Sequence, residues 1–145
     1  MNSTVRAEAV CVDSELLSGR VDTHTSYLAR RLAEASVRLS RSTSVPDEVS
    51  AVRDAVAAAA ARADLGLVCG GLGPTFDDIT REATAEAFGR TLTFNAPLYA
   101  RIVRRYRRYR LRVPANNRRQ AFLIGGARVL DNPNGSAPGQ RLEAP

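Results

Sequence analysis

A chain of 145 residues, 44% apolar and 25% charged with a net charge of +6, has the size and composition of one domain around one hydrophobic core. No apolar run approaches the ~20 residues of a membrane helix, and no basic segment followed by an apolar core opens the chain, so a cytoplasmic protein without membrane partners is expected. All 21 basic residues are arginine, which removes Schiff-base and P-loop lysines, and Cys11 and Cys69 lie in apolar runs without metal-site spacing.

In chain order, Val5 to Val12 is an apolar run that predicts a first strand, followed by a loop from Asp13 to Arg20. A helix is predicted to start near Asp22 or Thr23, both good N-caps, with Leu28, Leu32 and Ala35 at helical spacing. Val37, Leu39, Arg41, Thr43 and Val45 alternate as in a strand. Pro46-Asp47-Glu48 opens a second helix with Val49, Val52, Val56, Ala59, Ala60 and Ala63 in its apolar stripe. Leu65 to Cys69 suits a central parallel strand. Gly70 to Asp78 is a loop, and Ile79 to Phe88 a third helix stopped by Gly89. Thr91 to Phe94 reads as a short strand. Asn95 caps a fourth helix with Pro97 in its first turn and Leu98, Ile102, Tyr106 and Tyr109 on its buried side. Pro114 ends that stretch, and Asn116 is predicted to cap a short helix through Ala121. Arg128 to Leu130 reads as a strand, and Asn132 to Gly139 as a loop.

Strands alternating with helices imply an α/β domain whose parallel sheet is covered on both faces. Ligands of such sheets bind beyond the carboxyl ends of the strands. Three segments fall there: Asp13 to Gly19, Val45 to Glu48, and Gly70 to Asp78.

The last of these, Gly70-Gly71-Leu72-Gly73-Pro74-Thr75-Phe76-Asp77-Asp78, carries the strongest local signal. Its glycines let main-chain N–H groups approach a ligand, and those groups with the next helix start make an anion site. It is neither a Walker A loop nor a GxGxxG turn, and a plain strand-to-helix turn is the competing explanation. Asp77 and Asp78 beside a phosphate would repel it unless a divalent cation such as Mg²⁺ lay between them; helix capping is the alternative. Asp47, at the start of the second predicted helix, carries the same ambiguity. Glu15, Ser14, Ser18 and Thr75 are candidate phosphate-side groups or simple turn residues. Nine arginines between Arg101 and Arg119 admit a nucleic-acid reading, but Tyr106 and Tyr109 fit an apolar stripe, so a solvated helix face is preferred and nucleic acid is not the expected partner.

Read together, four segments are specific. Gly70 to Glu82 resembles the GGLGPTxDDxTxE signature of the CinA family. Glu15-Leu16-Leu17-Ser18-Gly19 resembles its ELLxG segment, Pro114 to Ala121 its PxNNxxQA segment, and Asn132 to Gly139 its NPxGTAPG loop. The resemblance implies a three-layer α/β/α domain with a mostly parallel sheet, the molybdopterin-binding fold of MogA and MoaB proteins, often oligomeric. It implies a nucleotide or pterin phosphate as ligand, with metal-dependent ADP-ribose pyrophosphatase activity as the enzymatic reading and a non-catalytic molybdopterin or nucleotide module as the alternative. On this likeness Asp78, Asp47 and Asp77 are the catalytic candidates, and Asp78 and Asp47 hold Mg²⁺ or Co²⁺. Gly70, Gly71, Gly73, Thr75, Glu15, Ser18, Asn117, Arg118, Gly135 and Ser136 bind the ligand. Asp13 stands where the family has glycine, and Asp22-Thr23-His24 replaces its NTN. The family continues beyond Gly139 into a further strand, so the expectation is one domain over residues 1–145 shortened at its C-terminal end.

Overall fold

A computed structural model describes residues 4–144. At its centre is β1 (Arg6–Val12), flanked in parallel by β2 (Arg38–Val45) and β3 (Leu65–Cys69) in the order β2-β1-β3. A strand with neighbours on both edges and helices on both faces must be apolar throughout, which is why β1 reads as a continuous apolar run. Successive side chains alternate between the faces: Val10 and Val12 meet Val52 and Val56 of α2 (Val49–Arg62), while the Cys11 thiol faces α1 (Thr23–Glu34), 3.8 Å from the Thr25 hydroxyl. Burying each of those valines is worth about 1.5–3 kcal/mol. Helices thus flank a mostly parallel central sheet as three layers.

The buried exception on β1 is Glu8, only 5% exposed, while the charged Arg6 lies exposed at the strand's start. Its carboxylate takes two bonds from Arg62, at 3.1 and 2.7 Å, with Arg41 at 3.7 Å. The Arg62 hydrogen bonds outweigh burial and hold the Glu8 carboxyl below the usual carboxylate range.

α3 (Thr80–Ala87) packs on α2 through Ala83, closing the first core. A second, smaller core forms where Leu98 and Ile102 of α4 (Ala96–Arg108) meet Ala121, Phe94 and Leu123. Around it are two antiparallel ribbons, β4 (Leu92–Phe94) with β5 (Phe122–Ile124) and β6 (Arg128–Leu130) with β7 (Gly139–Arg141). Asp22 and Asn95 cap α1 and α4, accepting from the amides of Thr25 at 3.0 Å and Leu98 at 2.8 Å.

Several local expectations are corrected, the first being that β3 is central: among the described residues it is an edge strand paired with β1 alone. β5 and β7 are strands, although three residues are too few to show a period and their pairing partners lie far along the chain. Pro114, not Asn116, precedes the short helix; this is a 3₁₀ helix over Ala115–Ala121 without a side-chain cap. Val49 is the first residue of α2 and 37% exposed rather than part of its buried stripe. Tyr109 is 61% exposed, because α4 ends at Arg108 and Arg110 turns the chain away with φ of 56°.

Candidate functional site

The carboxyl end of β3 leads directly into the glycine loop. Gly70 has φ of 91°, and a Cβ there would lie 2.1 Å from the Val12 carbonyl oxygen, so the turn passes against β1 only without a side chain. At Gly73 a Cβ would lie 2.4 Å from Asp78 Oδ2. The Asp78 carboxylate occupies the space that the glycine leaves open.

Asp78 is bonded inward. Its Oδ1 accepts from the Gly73 amide at 2.8 Å, and Oδ2 accepts from the Thr75 amide at 2.9 Å and from the Thr75 hydroxyl. Burial works against its charge, but the Thr75 and Gly73 donors and nearby Arg81 outweigh it and hold its pKa below the ordinary carboxylate value. The amides of Gly73 and Thr75, in the loop whose N–H groups are expected to approach a ligand, are taken by Asp78 in this structure. Phe76 and Asp77 form the exposed tip, with Phe76 88% exposed.

Two arginines brace the loop from beneath. Arg81 is 3% exposed and donates to the carbonyls of Leu72 at 2.6 Å and Gly73 at 3.0 Å. Burial lowers its pKa from the usual guanidinium value. Arg119 bonds to the carbonyl of Thr75, to that of Asp78 at 3.3 Å, and to Glu82 Oε1 at 2.8 Å. Thr80 closes the turn, its hydroxyl donating to the Gly70 carbonyl at 2.8 Å. Sequence reasoning missed Arg81 and Arg119. Both fall on variable positions of the family segments, and nothing in a chain with 21 arginines singles them out.

The neighbouring residues named from the sequence have other partners. Asn117 is 1% exposed and donates to Gln120 Oε1 at 2.8 Å, and the Arg118 guanidinium lies 4.0 Å from the centre of the Phe94 ring. From that segment, Arg119 is the side chain that reaches the glycine loop.

The first loop is organised around Asp47. Its Oδ2 accepts from the Ser14 amide at 2.9 Å and hydroxyl at 2.8 Å, and its own amide donates back to Ser14 Oγ at 3.0 Å. Asp13 is accommodated by accepting from the Glu15 amide at 2.8 Å and pairing with Arg20 at 3.2 Å. Arg20 also pairs with Glu15 at 2.8 Å, and the Ser18 hydroxyl donates to the Ser14 carbonyl at 3.4 Å. In the late loop, Asn132 Oδ1 accepts from the amides of Asn134 and Gly135 at 3.0 and 3.1 Å, which fixes the backbone beside Ser136.

Asp78 is thus committed within its own loop, whereas Asp47 ties the loop after β2 to the loop after β1 through Ser14. Among the described residues, no three His, Cys, Asp or Glu side chains gather as a metal-binding set. No helix among them is long and apolar enough to cross a membrane.

A mostly parallel sheet between two helix layers, with a glycine turn after its edge strand and an acid seated in that turn, makes this a three-layer α/β/α domain of the kind the family resemblance implies. The family described as "Probable molybdopterin binding domain" matches residues 8–144. A CinA-like protein of Koribacter versatilis is 44% identical over 138 residues, 94% of this chain and 33% of that protein. The crystal structure of the protein CinA from Thermoplasma acidophilum superposes with a TM-score of 0.86 at 29% identity, covering 94% of this chain and 80% of that one. The molybdopterin biosynthesis enzyme MoaB of Thermus thermophilus shares the fold, with a TM-score of 0.56 at 24% identity over 83% of this chain and 79% of that one. The chain belongs to the molybdopterin-binding domain family as a CinA-like member. It spans about a third of the length of the curated relatives it matches.

Proposed function

We propose that the domain binds a pterin or nucleotide phosphate at the carboxyl end of its parallel sheet, against the Gly70–Asp78 loop. The observation that carries this reading is the glycine turn at the carboxyl end of β3, with Gly70 at φ of 91° and Gly71 at 60°, braced from within by Asp78 and from beneath by Arg81. Asp78 takes the amides of Gly73 and Thr75, so a ligand phosphate would meet the remaining main-chain N–H groups of this strand-to-helix turn. Arg81, Arg119 and Asp78 hold the loop in one conformation. The exposed Phe76 ring beside it offers a flat face to a pterin or purine.

Metal-dependent cleavage of ADP-ribose is the finer proposal that the CinA likeness implies. The donor set is sparse for a metal: both oxygens of Asp78 and Oδ2 of Asp47 already accept hydrogen bonds, and among the described residues no third acid gathers with them. Binding is therefore the reading that the geometry supports best. Self-association, also expected from the likeness, has support in β3, which pairs only with β1 among the described residues and leaves one edge open.

Titration calorimetry with ADP-ribose and with a pterin phosphate, each with and without Mg²⁺ or Co²⁺, tests the reading. Saturable heat that is lost in a folded Gly73→Ala variant supports it. Absence of heat with both ligands overturns it. AMP release from ADP-ribose would establish the hydrolytic activity.

A further inference from the structure

Arg101, Arg104, Arg105 and Arg108 stand at i, i+3, i+4 and i+7 on α4, so helix geometry sets them on one face over about 10 Å of axis. With Tyr109 and Pro133 they line an open cavity of about 350 Å³. Two are pinned: Arg101 pairs with Asp131, and Arg105 donates to the Pro133 carbonyl at 3.1 Å. Arg104 and Arg108 are exposed and have no carboxylate partner among the described residues. The chain supplies no acid along this stretch, since no Asp or Glu lies between Glu86 and Asp131. Like charges three and four residues apart destabilise a helix, and a bound polyanion would relieve that repulsion.

Tyr109 decides the kind of anion. Exposed at the helix end and lining the same cavity, it is a flat aromatic surface beside free guanidiniums. That pairing of a cationic track with a stacking platform is how unpaired bases and their phosphates are held together. A duplex keeps its bases stacked on each other, and an inorganic anion has no use for the ring.

We propose that this face of α4 binds single-stranded nucleic acid, with phosphates on Arg104 and Arg108 and a base on Tyr109. None of these residues hydrogen-bonds the Gly70–Asp78 loop, so this site is independent of the ligand proposed there.

The test is fluorescence anisotropy of a labelled short oligothymidylate with the 145-residue chain, at about 50 and 200 mM salt, the range over which phosphate contacts lose affinity steeply. The Arg104→Ala/Arg108→Ala pair is expected to weaken binding at least tenfold. It should also flatten the slope of log affinity against log salt by roughly 1.4, for two phosphates on a single strand. Tyr109→Ala is expected to weaken binding about tenfold with the salt slope unchanged. Arg104→Lys/Arg108→Lys keeps both charges and should keep the slope, which guards against a misfolded alanine variant. Arg30→Ala on α1 should change nothing. No binding of the unmodified chain at the lower salt, affinity unchanged in the alanine pair, or equal competition by tripolyphosphate or by a duplex of the same sequence would each overturn the proposal.

Discussion

The Arg119 guanidinium stands 2.8 Å from Glu82 and, through the same nitrogen, 3.3 Å from the Asp78 carbonyl. One side chain from the 3₁₀ helix thereby ties the first turn of α3 to the end of the glycine loop. Arg119→Ala removes three bonds, one of them to a half-buried carboxylate, and should cost about 1–2 kcal/mol in urea unfolding. Arg118→Ala loses only a stacking contact on Phe94, worth about 0.5–1 kcal/mol. Hydrogen exchange of the Gly70–Asp78 amides should accelerate in the first variant and not in the second.

Asp78→Asn removes the charge that the loop amides stabilise. An amide keeps one acceptor oxygen but puts a donor against the other partners, so a loss of about 1–2 kcal/mol is expected. The sign of the pH effect follows from the direction of the shift. A carboxyl with a depressed folded pKa binds fewer protons folded than unfolded, so its contribution is present above the unfolded value near pH 4 and lost as pH falls through the lower folded value. The unmodified chain should lose this stability on acidification below about pH 4, and Asp78→Asn should flatten that limb in pH-dependent urea titrations. An unchanged acid limb would count against the inward carboxylate.

Glu8 contributes on the same acid limb, because its pKa is also depressed. Glu8→Gln keeps the volume but weakens the paired bonds from Arg62. We expect a loss of about 1–3 kcal/mol at neutral pH that shrinks toward zero in acid. Chemical denaturation at two pH values checks it.

Gly70→Ala should be the most damaging glycine substitution in the loop. It adds a Cβ 2.1 Å from the Val12 carbonyl at φ of 91°, combining a backbone clash with a conformation that alanine resists. Gly89→Ala, at φ of 59° with open space around it, carries only the conformational cost of about 1 kcal/mol. Thermal unfolding should separate the two clearly.

Cys69 should resist alkylation in the native state. Burial pushes its thiol up to about 11, with Cys11 and Asp22 adding to the shift, so little thiolate exists at pH 8. Slow reaction with iodoacetamide that accelerates in urea is expected. Rapid native labelling at Cys69 would contradict this packing.

The parallel core was legible because its signals are local and repeated. A five-residue apolar strand, capped helices at 3.6-residue spacing and a glycine turn each leave a pattern in a short window, and four ordered family segments fixed the fold. β5 and β7 left no such pattern, since strands of three residues are defined by their partners. The sequence also brought forward Gly70, Gly73 and Asp78, whose types alone announce a tight turn and an acid. What each side chain does there was decided by tertiary packing. Whether Asp78 faces a ligand or its own loop, and which of Arg118 and Arg119 reaches that loop, depends on where distant segments meet. Tyr109 makes the same point: helical spacing placed it inside, and the end of α4 one residue earlier turned it out to solvent. Periodicity is written in neighbouring residues, whereas the direction of a side chain at a helix end or in a loop is set by contacts that no short window contains.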